Sequence, residues 1–94
     1  MARRKLDDAE IRECLGGLAG WTIEDGKLHR EFRFDGFVEA FGFMASLALV
    51  AERLDHHPEW SNVYNRVVVD LTTHDVGGIS ALDFELAAAA DRLS

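Results

Sequence analysis

The chain has 94 residues, enough for one domain with a modest core, and its 48% hydrophobic and 29% charged residues are an ordinary balance for a water-soluble fold. A net charge of −7 argues against direct nucleic-acid binding, which needs a basic patch, and the longest apolar run, residues 47–51, is far too short to cross a membrane. Cys14 is the single cysteine, so no intramolecular disulfide is available, and with no apolar signal segment near the N-terminus the expected location is the cytoplasm.

Arg3-Arg4-Lys5 is the only basic cluster and reads as a solubilising tail, with residues 1–6 expected to fray. Asp7 or Asp8 can cap a first helix in which Ile11, Cys14, Leu15 and Leu18 recur at helical spacing; Cys14 is expected there as a small buried hydrophobe. Gly16, Gly17 and Gly20 stop that helix. Residues 21–24 and 27–34 read as strands joined by Asp25-Gly26, a pair suited to a type I′ turn because both turn positions need positive φ. Leu28, Phe32 and Phe34 share one strand face; His29 lies on the other and is expected to be solvated.

Asp35 can cap a long second helix reaching about Leu54, and this helix carries two apolar stripes. One is Val38, Phe41, Ala45, Ala48 and Leu49; the other is Phe43, Leu47, Val50 and Leu54. A helix apolar over most of its circumference is buried on more than one side. A sheet covers one stripe. The second, Phe43–Leu47–Val50, is expected either to form a symmetric homo-oligomer interface or to lie under the first helix. Pro58 ends the helical run and pushes His57 toward extended geometry, leaving His56 at the helix C-terminus. Residues 60–64 and 66–73 are two further strands, with Asn65 expected at the left-handed turn position and Val67, Val69 and Leu71 toward the core. Ser80 and Asp83 resemble a capping box opening a third helix with Leu82, Leu86, Ala89 and Leu93 as its buried stripe. The order is αββαββα. The expected fold class is α+β: a four-stranded antiparallel sheet with three helices packed on one face.

Three of the four histidines, and the only proline, lie in Asp55-His56-His57-Pro58-Glu59-Trp60 and Thr73-His74-Asp75. Histidine transfers protons near neutral pH. The helix C-terminus and the carboxylates Glu52, Asp55 and Glu59 would favour a protonated His56, suited to a general acid. His74 leaves a strand end, where side chains can converge on a pocket, and a histidine neutral at pH 7 can be a general base. Two other readings stand beside this one. The histidines can be unrelated surface or core residues. Alternatively His56, His57, His74 and Asp75 can bind a metal, although adjacent side chains diverge and no HExxH or paired-cysteine spacing is present.

His56-His57-Pro58-Glu59-Trp60, then Asn62-Val63-Tyr64-Asn65, Leu71-Thr72 and His74-Asp75 with Gly77-Gly78 closely resemble the signature of the pterin-4a-carbinolamine dehydratase family, with Glu52, Tyr64, His74 and Asp83 at its spacings. The resemblance is strong from Glu52 to Asp83 and weak over the first helix. It implies the same fold in one domain spanning residues 1–94, assembled as a homodimer or homotetramer. It also implies dehydration of a 4a-hydroxytetrahydropterin to the quinonoid dihydropterin, with no metal or organic cofactor. The implied acid–base pair is His56 and His74, with His57 orienting the pterin. Glu52, Asp55, Pro58, Trp60, Thr73 and Asp83 are the implied substrate-binding residues. Glu52, four residues before His56, would share its helix face, and Asp83 would orient His74 or simply cap the third helix. Trp60 would wall the pocket or belong to the core. Relatives in animals also act as dimerisation cofactors of a transcription factor, so a binding or coactivator module is the alternative.

Overall fold

The structure, a computed structural model, describes residues 3–94. Its elements follow the expected order: α1 (Asp8–Leu15), β1 (Thr22–Glu24), β2 (Lys27–Arg33), α2 (Phe37–Leu54), β3 (Glu59–Val63), β4 (Arg66–Leu71) and α3 (Ala81–Leu93). Each strand pair is antiparallel, and the sheet order is β1-β2-β4-β3, so the two hairpins join through β2 and β4 at the centre. Asp25 and Gly26 have φ of 53° and 75°, the positive pair their hairpin requires. The alternation of β4 buries Val67, Val69 and Leu71 on one face, opposite Phe32, Arg30 and Leu28 of β2. The helices cover that face. The other face is polar, with Lys27, His29, Glu31, Glu59 and Asp70 among its residues.

On α2 the two apolar stripes are placed opposite to expectation. Ala40, Phe43, Leu47 and Ala51 are buried against the sheet and α3, while Val38, Phe41, Ala45, Ala48 and Leu49 are exposed. Phe43 and Leu47 are therefore not available as a subunit interface, and Val50 is half-buried against the core. The reason is fit: small residues, Ala40 and Ala51, flank the buried stripe and allow close approach, and the Phe43 ring lies 4.8 Å from that of Phe32 and 5.1 Å from that of Phe34. Burying Leu47 completely stabilises the fold by about 1.5–3 kcal/mol.

Other expectations need correction. Gly36, not Asp35, is the α2 N-cap, with no side-chain cap bond. Tyr64, not Asn65, takes the positive φ (53°) of the β3–β4 turn; Asn65 is committed to Phe34, accepting its N–H and donating Nδ2–H to its carbonyl. Cys14 is exposed, because α1 turns only Ile11 and Leu15 toward the core. Leu18 lies past the end of α1, and Leu93 is exposed while Phe84, Ala87 and Ala90 join Leu86 and Ala89 in the core. His29 is not simply solvated, since its Nδ1 lies 2.7 Å from Asp70 on the polar face. The N-terminal residues expected to fray are tied down from Arg3 onward. The Leu6 N–H donates to the Ile79 carbonyl at 2.8 Å and its side chain is buried. Residues 1 and 2 of that expected tail lie outside the described residues. Asp7 is the α1 N-cap in a reciprocal capping box with Glu10.

Candidate active site

Three chain segments meet at one end of the sheet: the C-terminus of α2, the start of β3 and the turn after β4. Asp55 ends α2 in the left-handed conformation (φ 50°), and the His56 N–H reaches back to the Ala51 carbonyl at 3.0 Å. This reversal drives the His56 side chain into the protein and leaves His57 outside it. After β4, Thr73 bridges Gly78, and His74–Val76 form a single 3₁₀ turn ended by Gly77 at φ 73°. The result is an open cleft of about 230 Å³ lined by Arg3, Asp55, His56, His57, Thr72, His74 and Asp75. The three histidines expected to act together do meet here.

Each has its own carboxylate, bonded through Nε2. His56 Nε2 lies 2.5 Å from Asp83 Oδ1, His57 Nε2 2.8 Å from Glu52 Oε1, and His74 Nε2 2.8 Å from Glu59 Oε2. A carboxylate only accepts, so Nε2 carries the proton and, in the neutral ring, Nδ1 is the basic nitrogen. The first pair is buried. Asp83 is fully enclosed, and its second oxygen accepts the Thr73 hydroxyl at 2.8 Å and the Ser80 N–H at 2.9 Å. The Thr73 and Ser80 hydroxyls are 2.7 Å apart. The α3 capping box and the histidine partner are thus one residue. The other two pairs are open to solvent. Lys27 Nζ, 2.6 Å from Glu59 Oε1, and His74 together hold the Glu59 carboxyl below its usual range.

The carboxylates are distributed differently from expectation. Glu52 pairs with His57, because the left-handed Asp55 takes His56 off the helical face they would have shared. Glu59 pairs with His74, and Asp83 orients His56 rather than His74. Thr73 and Asp83 are buried and are not among the lining residues; Asp83 bonds His56, and Thr73 bonds Asp83. Trp60 lies on the core side of β3, packed against the buried cluster, and Pro58 and Trp60 are not among the lining residues. Among the described residues, no group of three His, Cys, Asp or Glu side chains is arranged to hold a metal ion. Sequence reasoning missed Thr72 as a lining residue, the pairing of His74 with Glu59, and Arg3. Arg3 bridges the two histidine segments, donating to the Asp55 carbonyl at 2.5 Å and to Asp75 at 3.2 Å. Only contacts across 52 and 72 residues of sequence reveal it.

Fold and cleft together define an α+β protein that gathers proton-transferring side chains at one end of an antiparallel sheet. The sequence model of the pterin 4 alpha carbinolamine dehydratase family matches residues 4–93. A Solibacter usitatus protein bearing the name pterin-4-alpha-carbinolamine dehydratase is 57% identical over 90 residues, covering 96% of this chain and 95% of its own. A Prochlorococcus marinus protein of the same name is 58% identical over 93 residues, 99% of this chain and 97% of its own. The crystal structure of a transcriptional coactivator/pterin dehydratase from Brucella melitensis matches with a TM-score of 0.92 at 47% identity, over 96% of this chain and 98% of that one. This chain belongs to the pterin 4 alpha carbinolamine dehydratase family.

Proposed function

We propose that this protein is a hydro-lyase that removes water from a 4a-hydroxytetrahydropterin, giving the quinonoid dihydropterin and so recycling a tetrahydrobiopterin-type cofactor. The observation that carries the reading is the convergence of His56, His57 and His74 on one cleft, each with Nε2 on a carboxylate, in a chain of this family. In the reaction the N5 lone pair expels the C4a hydroxyl as the C4a–O bond breaks. An acid protonates the departing oxygen and a base takes a ring proton. His56 and His74 are the acid–base pair, and His57 binds and orients the pterin. An imidazole can donate or accept a proton through its ring nitrogens, which is what the two roles require. Asp55 borders the cleft as a substrate contact. Glu52 acts through His57, Thr73 and Asp83 act through His56, and Pro58 restricts the His57 backbone. Trp60 supports the start of β3 from the core side. The chain acts as one dehydratase domain, needs no cofactor, and works in the cytoplasm; its lone exposed Cys14 thiol suits a reducing compartment.

The test is the rate of 4a-hydroxytetrahydropterin dehydration, followed by ultraviolet absorbance, for wild type and His74→Ala. Fast wild-type turnover lost in the variant supports the assignment; a folded wild type no faster than the spontaneous reaction refutes it.

A second reading concerns assembly. Phe37, Val38, Phe41 and Leu49 leave one side of α2 apolar and exposed, and the Brucella melitensis relative carries a coactivator name. We propose that this side, not the buried Phe43–Leu47 stripe, forms a homodimer or homotetramer contact. Val38→Asp and Leu49→Asp are expected to lower the assembled mass in sedimentation; an unchanged mass, or a monomeric wild type, removes the proposal. A non-catalytic coactivator would use the same surface without needing the histidines.

A further inference from the structure

His74 has little besides one hydrogen bond to hold it. Its side chain is 79% exposed, and its one polar side-chain contact among the described residues is Glu59 Oε2. An imidazole so exposed samples several rotamers unless a partner selects one, yet proton transfer requires the reacting nitrogen at a fixed place. Glu59 is itself held at both oxygens, Oε2 by His74 and Oε1 by Lys27. Lys27 is the first residue of β2 and Glu59 the first of β3, and the rigid sheet sets their positions. Glu59 pairs across the ladder with Asp70, and Asp70 with His29, so the carboxylate stands in an ordered polar row on the open face.

We infer that Glu59 is the positioning residue for His74, anchored in turn by Lys27. This rests on the dehydratase reading above. Glu59 accepts the Nε2–H, selecting the ring orientation and leaving Nδ1 as the basic nitrogen, while the Lys27 ammonium keeps the carboxylate from rotating away. The other charged and titratable groups around it are the Arg3–Asp75 pair, His56 and His57, all lining the same cleft, and Asp70 near Lys27.

The experiment compares wild type with Glu59→Ala, Glu59→Gln and Lys27→Met, using His74→Ala as the reference. For Glu59→Ala, kcat is expected to fall at least about 10-fold, the scale of loss when the carboxylate partner of a metal-bound histidine is removed, with KM little changed. Glu59→Gln keeps an oxygen that accepts the Nε2–H and is expected to recover part of the rate. Lys27→Met is expected to lose less than Glu59→Ala. Independently of turnover, side-chain NMR couplings are expected to report one His74 rotamer in wild type and an average in Glu59→Ala. Wild-type kcat in Glu59→Ala, or a His74 ring equally ordered in both proteins, overturns the inference. An inactive wild type sinks the dehydratase reading alone, and the ring measurement then still decides whether Glu59 holds His74.

Discussion

His56 and His74 end in the same bond, Nε2–H to a carboxylate oxygen, but in opposite surroundings. The His56–Asp83 pair is enclosed, with Thr73 and Ser80 satisfying the rest of Asp83. The His74–Glu59 pair faces water and leans on Lys27. An enclosed hydrogen-bonded pair that loses one member leaves the other without its partner away from water; an exposed one hands it to solvent. The buried dyad therefore carries structural weight as well as its proposed chemistry, and the exposed one can be altered with little structural consequence.

The largest expected effect breaks the buried member. Asp83→Ala strands His56, the Thr73 hydroxyl and the Ser80 N–H together, and is expected to destabilise the protein by about 3–5 kcal/mol, read from urea midpoints. A loss under about 1 kcal/mol would erase the contrast between the dyads. Next, His74→Ala is expected to lower turnover by about 10²–10⁴-fold while leaving the urea midpoint near wild type, the reverse of Asp83→Ala. A smaller effect isolates one arm of the buried network: Thr73→Val removes a donor to Asp83 and is expected to lose about 1–3 kcal/mol in the same titration.

The smallest effect concerns acid. Lys27 first, and then His74, hold the Glu59 carboxyl below the ordinary glutamate value of 4.5. The folded state thus binds that proton less readily than the unfolded chain. The stabilisation is fully present above pH 4.5 and fades as pH falls through the lower folded value. Stability measured between pH 5 and pH 3 is expected to fall less steeply in Lys27→Met than in wild type, by a small margin because the pair is exposed. Equal slopes would show that Lys27 does not act on Glu59.

The two faces of α2 show where local reading stops. Both stripes have helical spacing, and nothing local ranks Phe43 and Leu47 above Phe41 and Leu49. The choice came from the rings of Phe32 and Phe34 on another element. The histidines behave alike. That His56, His57 and His74 come together at one cleft was legible from their motifs. That Glu52 serves His57, Glu59 serves His74 and Asp83 serves His56 was not, because the left-handed Asp55 changes which side chain faces which. Arg3 was read as tail, since its partners are remote in sequence.

By itself the sequence determined what depends on local chemistry: the order of helices and strands, the Asp25-Gly26 hairpin, the Ser80–Asp83 capping box and the inward face of β4. Turn geometry, capping and side-chain alternation act within a few residues, so these are written along the chain. The tertiary structure alone decided which α2 stripe is core, which carboxylate holds which imidazole, and that one histidine dyad is sealed while another lies open. Those outcomes turn on shape and on burial from water, which belong to contacts between elements rather than to any one of them.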